Sequence, residues 1–205
     1  MKYIISVIHF ITLFCFYLVF LFQFQLVISN IFASEEDTAL LVIDMQLFYL
    51  ENQDSEIVNN LKSKIIEQIK SAKKNKQKII FVEYRDDDGF VCESNVTISE
   101  LLNEVKGYKK YKQILKSGEN GSREIIQVLK GTNVKTLNVC GINTSCCVKR
   151  TVEGLLKSFN QLKKINIHAE ACADFVPDDS DGHNQTLKYF KSLDKKIQVI
   201  PVIDK

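Results

Sequence analysis

A carboxylate and a thiol stand out among the residues able to do chemistry. Asp44 directly follows an unbroken apolar run in Leu-Leu-Val-Ile-Asp-Met-Gln46. A carboxylate at the end of such a run is costly to bury unless something uses it. It can serve as a base, or simply as a helix cap or surface turn. Cys147 lies in Val139-Cys-Gly-Ile-Asn-Thr-Ser-Cys-Cys-Val148, where a strand-like run turns into a helical one. Backbone amides at a helix N-terminus carry partial positive charge and favour a thiolate, so this is where a nucleophilic cysteine would be placed. Cys140 and Cys172 lie in or at the ends of apolar runs and read as small core residues. Cys146 points to a different face from its neighbour, as a structural residue or a second, oxidisable thiol.

The surrounding pattern says what positions these groups. Thr38–Ile43 is the short, continuous apolar run that a buried parallel strand requires. Between Asp54 and Gln77 the residues Ile57, Leu61, Ile65, Ile69 and Ala72 recur every three or four positions, which predicts an amphipathic helix. Lys78–Tyr84, Lys135–Cys140, Lys164–Ala169 and Lys196–Ile203 read as four more strands. Thr97-Ile-Ser-Glu100 resembles a capping box. Ser122 is placed to cap a helix that stops at Gly131. Val148, Val152, Leu155, Leu156 and Phe159 form one helical stripe, and Leu187, Phe190 and Leu193 mark a last helix. Strands alternating with helices predict an α/β fold, with three αβα layers around a mainly parallel, doubly wound sheet. Such sheets bind ligands beyond the C-terminal ends of their strands, where Asp44 and Cys147 fall.

Composition narrows the class. The chain has 205 residues, 45% of them hydrophobic, with 27 Lys+Arg against 25 Asp+Glu. That balance excludes a disordered, collagen-like or coiled-coil chain. Six cysteines exclude a small disulfide scaffold. A net charge of +2 gives no footprint for nucleic acid. Residues 1–34 stand apart, because Tyr3 to Ser34 contains no Lys, Arg, Asp or Glu. Lys2, the apolar run and Ala33-Ser34 match the parts of a signal peptide. The run also exceeds the about 20 residues that cross a bilayer. Residues 1–34 are therefore expected to export the chain or anchor it in a membrane, and residues 35–205 to form one domain.

Asp44-Met-Gln46, then Gly141-Ile-Asn-Thr-Ser-Cys-Cys-Val148, then Glu170-Ala-Cys-Ala-Asp174, resemble the isochorismatase-like cysteine hydrolase family in order and spacing. The resemblance spans roughly residues 38–200. It implies an Asp-Lys-Cys catalytic triad and a covalent cysteine intermediate. Asp44 and Cys147 carry over directly. The lysine falls in the less regular segment Lys112-Gln-Ile-Leu-Lys-Ser-Gly-Glu-Asn-Gly-Ser122, where Lys116 aligns best and Lys112 is the alternative. The glycines at 118 and 121 would let one lysine fold back over the strand ends. The resemblance further implies a cis peptide between Ile142 and Asn143, with the amides of Asn143 and Cys147 as an oxyanion hole. It suggests a homo-oligomer acting on a small-molecule substrate.

Two departures bear on function. The family's usual Asp after Thr144 is Ser145 here. Nicotinamidases of the family carry a metal-binding Asp-x-His and a further His after the second strand. This chain has Glu83-Tyr-Arg-Asp-Asp-Asp-Gly-Phe90 there, and no histidine between His9 and His168. Asp86–Asp88 could hold a hard cation or form a solvated turn. The expectation is a hydrolase of a small amide or isochorismate-like substrate that uses no metal or other cofactor. An inactive binding module and a thiol-redox protein using Cys146-Cys147 are the alternatives. Adjacent cysteines make a strained bridge, which disfavours the last.

Overall fold

Five apolar runs and one polar one assemble into a single sheet. The computed structural model describes residues 37–85, 96–175 and 181–200, together with Tyr17. In chain order the elements are β1 (Thr38–Ile43), α1 (Leu47–Leu50), α2 (Ser55–Lys74), β2 (Lys78–Tyr84), α3 (Ser99–Glu104) and β3 (Tyr111–Lys116). They continue with α4 (Ser122–Leu129), β4 (Thr136–Gly141), a π-helical turn (Thr144–Val148) and α5 (Lys149–Ser158). The chain closes with β5 (Lys164–Cys172), α6 (Gly182–Leu193) and β6 (Ile197–Ile200). All strand pairs are parallel, in the order β3-β2-β1-β4-β5-β6. Right-handed crossovers put helices on both faces, giving the expected αβα layering. The chain turns to opposite sides after β1 and β4, and the crevice beyond the ends of these two strands is the ligand position of such sheets.

The centre of the sheet is apolar on both faces. Leu40, Leu41, Val42, Ile43, Ile79, Ile80 and Phe81 are all buried. Each large side chain removed from water there contributes about 1.5–3 kcal/mol. Register aligns the strand ends: Ile43 sits opposite Val82 and Gly141, and Tyr84 opposite Lys116. Residues just past these positions are thereby brought together.

Several local expectations need correction. The segment around Lys112–Lys116 is a sixth strand, β3. It lies at the sheet edge, where only Ile114 and Lys116 are buried, so the apolar run that marks the other strands is missing. On α2 the buried residue is Val58, while Ile57 is exposed. Thr97 does not cap α3; its hydroxyl and its amide both donate to Glu83 Oε1, at 2.7 and 3.0 Å. Ser122 opens α4 without capping it, and its amide donates to Asn120 Oδ1 at 2.9 Å. Gly131 does end α4, with a φ of 78°. The uncharged stretch before Ser34 and the Asp86–Asp88 loop lie outside the described residues. Among the described residues, no helix is long and apolar enough to cross a membrane.

One glycine is fixed by both conformation and space. Gly141 has a φ of 123°, and a Cβ there would sit 2.1 Å from the Ile43 carbonyl oxygen. Backbone cannot yield as a flexible side chain would. Gly141→Ala is expected to cost roughly 3 kcal/mol, the upper part of the overpacking range. Denaturant unfolding measures this; a change below about 0.5 kcal/mol, the level of an ordinary surface substitution, would show the β1–β4 contact to be looser than described.

Candidate active site

β1 delivers Asp44 by ending in a sharp turn. Asp44 has a φ of 52°, in the left-handed region that aspartate tolerates better than most residues. Its amide donates to Val82 O at 2.8 Å, which ties the turn to β2. Gln46 strengthens that tie. Its side chain donates to Tyr84 O at 2.9 Å and accepts from Tyr84 N at 2.7 Å.

Lys116 arrives from the last position of β3. Alternation along the strand puts Lys112, Ile114 and Lys116 on one face and exposed Leu115 on the other; burial on that face begins at Ile114, so Lys116 is enclosed while Lys112, near the strand start, is exposed. Its ammonium forms an ion pair with Asp44 Oδ2 at 2.8 Å and donates to Gly118 O at 2.9 Å and Cys147 Sγ at 3.5 Å. The Tyr84 ring lies beneath, its centroid 5.2 Å from Nζ. Gly121 keeps room for the lysine stem, since a Cβ there would approach Lys116 Cδ to 3.1 Å and Val82 Cγ1 to 2.9 Å. At Gly118 a Cβ would meet nothing within 4 Å, so of the two loop glycines only Gly121 is required by packing.

Cys147 sits inside the π-helical turn rather than at the first turn of a regular helix. That turn is held from behind. The Thr144 amide and hydroxyl both donate to Ala173 O at 3.0 Å. With its proton spent there, the hydroxyl accepts from His183 Nδ1 at 2.9 Å. The Ser145 amide donates to Asp174 Oδ2 at 3.0 Å. Asp174 thus supplies a carboxylate to this turn although residue 145 does not. The Ile142–Asn143 peptide is cis. The Asn143 carbonyl accepts from Cys146 N at 3.2 Å and Val148 N at 3.1 Å, and its Oδ1 accepts from Phe175 N at 2.8 Å.

Electrostatics corrects one expectation. Burial first, and then the Asp44 charge, push the Cys147 thiol far above the usual cysteine range, with Lys116 opposing. Desolvation of this nearly enclosed turn favours the neutral thiol over the thiolate expected at a helix N-terminus, with Lys116 opposing. Burial likewise raises the Asp44 carboxyl above its ordinary 3.8, again against Lys116. A carboxyl that holds its proton more tightly when folded loses stability as pH rises from 3.8 through the raised value. The acid limb of kcat/KM, which reports the free enzyme, should accordingly have its midpoint above 3.8. A limb at or below 3.8, or one unchanged in Asp44→Asn, would dissociate Asp44 from it.

The remaining cysteines behave as ordinary core thiols or neighbours. Cys140 and Cys172 are buried, and Cys146 is half-buried. The cysteines among the described residues are free, with no Cys146–Cys147 bridge. Exposed Lys112 does not enter the cluster. Residues that sequence reasoning had not assigned to the site are Tyr84, His183 and the clamp residues Thr144 and Asp174. The end of β2 and the Glu170–Asp174 motif were their only signals.

The isochorismatase domain matches residues 38–193. A nicotinamidase from Staphylococcus aureus superposes with a TM-score of 0.65 at 19% identity, over 81% of this chain and 99% of that one. A pyrazinamidase of Pyrococcus horikoshii in complex with zinc gives 0.65 at 18%, over 81% and 99%. An isochorismatase-like hydrolase from Alkaliphilus metalliredigens gives 0.64 at 16%, over 80% and 94%. No curated protein sequence matches the chain. With a family domain spanning most of its length and the αβα architecture to accompany it, the chain belongs to the isochorismatase family of hydrolases.

Proposed function

We propose that the chain hydrolyses a small carboxamide through Cys147, with Asp44 as proton carrier and Lys116 as the fixed positive charge between them. The carrying observation is the single buried ammonium that touches the Asp44 carboxylate at 2.8 Å and the Cys147 sulfur at 3.5 Å. As sulfur attacks the carbonyl carbon, the thiol proton passes to Asp44, so that base and nucleophile act in one step and no standing thiolate is needed. The C–N bond then breaks as Asp44 returns the proton to the departing amine, leaving a thioester. Water gives a proton to Asp44, attacks the thioester, and releases the acid with the thiol restored. The amides of Asn143 and Cys147 are the donors for the developing oxyanion. The anchoring of Asn143 through its carbonyl and side chain supports that role. An isochorismate-like substrate is the alternative within the same family.

The amide class is supported by the nicotinamidase and pyrazinamidase among the solved structures. The zinc of the latter does not fit the described residues here. No group of three or more His, Cys, Asp or Glu is placed among them to hold a metal. Glu83, at the end of β2, is occupied by Thr97 and by Gln113 Nε2 at 3.0 Å. No step is therefore routed through a metal. Ammonia release from a panel of small amides, with isochorismate alongside, tests this reading. Wild type should turn over at least one amide, unchanged by exhaustive chelation, with an acyl mass on the Cys147 peptide after rapid quench. Activity lost to chelator and restored by zinc would overturn the metal-free mechanism. Turnover of isochorismate alone would overturn the amide assignment.

A further inference from the structure

The lysines of this chain are not scattered. Lys110, Lys135, Lys163, Lys164, Lys195 and Lys196 stand at or just before the first residues of β3, β4, β5 and β6. All but half-buried Lys196 are exposed. The backbone joins several of them directly. The Lys135 carbonyl accepts the amides of Lys163 and Lys164 at 2.8 and 3.1 Å, and the Lys196 carbonyl accepts Ile165 N at 2.8 Å. Helix ends add exposed Lys74, Lys106 and Lys130 to the same edge. Lysine near a helix C-terminus is favoured by the dipole, which accounts for these three but not for lysines at strand starts.

Among the described residues the acidic groups on this edge are few and engaged, and Glu35 and Glu36 precede Asp37 in the sequence. Asp37 accepts from the Thr38 hydroxyl, Glu104 pairs with Lys70 at 3.8 Å, and Asp194 accepts Lys196 N at 2.8 Å. Asp44, Glu83, Glu119 and Asp174 lie at the opposite ends of the strands, among Arg85, Lys116, Lys149 and Arg150. A formal charge of +2 therefore conceals a basic edge opposite one of mixed charge. Adjacent strands lie about 4.8 Å apart, so charges at the starts of neighbouring β4, β5 and β6 fall within one Debye length of the next strand, about 8 Å at physiological salt, while Lys110 extends the basic edge on the far side of β1 and β2.

The chain also enters the domain at this edge. The Asp37 carbonyl accepts Lys135 N at 2.7 Å, and β1 begins at Thr38. The uncharged run Tyr3–Ser34 ends three residues upstream of Asp37. At 3.3–3.6 Å per residue, three residues reach only about 10 Å. We propose that the basic edge at the strand starts is a docking surface for an anionic lipid bilayer. Docking this way leaves the opposite edge, with Asp44 and Cys147, facing away from the membrane. The attraction is that of a polybasic segment for a negatively charged leaflet, and it falls with salt.

The test uses the full chain reconstituted in vesicles of pure phosphatidylcholine, or of phosphatidylcholine with about one third phosphatidylglycerol, with lysine acetylation read by mass spectrometry. Anionic vesicles should slow acetylation of Lys110, Lys164 and Lys195 at least threefold. Lys149, beyond the opposite edge, should be unaffected, and half-molar salt should abolish the protection. Lys135→Glu combined with Lys163→Glu, both exposed positions, should return the reporters to their rates in phosphatidylcholine while thermal unfolding stays unchanged. If that variant unfolds, the wild-type salt dependence still decides. Equal labelling in both vesicles overturns the proposal. A DNA duplex that protects the same lysines and displaces the chain's basic edge from anionic vesicles overturns it in favour of a nucleic-acid partner.

Discussion

Cys147→Ala is expected to lower turnover of the best amide on the order of a thousand-fold or more, the scale seen when a covalent nucleophile is removed. The fold should survive. Cys147 is 8% exposed, and losing one sulfur from a turn leaves a small cavity, worth about 1 kcal/mol. Cys146→Ala, one residue away on a different face, should retain activity within a few-fold. Measured kcat and thermal unfolding for the three proteins decide the matter. Residual activity within tenfold of wild type in Cys147→Ala, with a normal melting curve, would remove covalent catalysis.

The second large effect concerns the ion pair behind the thiol. The Asp44 and Lys116 side chains are 1% and 0% exposed. Removing one partner strands a charge in the interior, which typically costs about 3–5 kcal/mol. Asp44→Asn and Lys116→Met should each destabilise on that scale and each abolish turnover. Replacing both together leaves no unpaired charge, so the double variant should recover most of the stability and none of the activity. Lys112→Ala, at the exposed start of β3, should change neither. Denaturant melts across the cycle measure the coupling. Additive losses of stability would show that the two groups are not a pair in solution, and an active double variant would remove both from the mechanism.

The architecture was legible where residues obey one constraint at a time. Buried central strands need apolar runs; β1 and β2 show them plainly, while β4 and β5 show alternating apolar positions. β3 obeys two constraints, an edge facing water and a site needing a buried ammonium, so Tyr111-Lys-Gln-Ile-Leu-Lys116 reads as neither strand nor helix. Its lysine was reached by resemblance to a family and could not be reached by periodicity. Asp44 and Cys147 were legible because each follows a strong strand signal at a sheet's binding end. The supports behind them were not, since Thr144, Asp174 and His183 meet through a turn whose geometry no spacing rule encodes. The direction of the Cys147 shift was also hidden. Sequence shows the helix that follows the thiol but not the burial that outweighs it.

A thiol kept protonated by its surroundings has a further consequence for the life of the protein. Peroxide attacks thiolates, and the path to sulfenic and sulfinic acids begins with that anion. Burial that pushes the Cys147 thiol up, with its near enclosure beside Asp44, holds it off that path until Asp44 takes its proton during attack on a substrate. The same burial that leaves the nucleophile dormant is a form of chemical shelf-life. For such an enzyme, durability between encounters matters as much as speed during them.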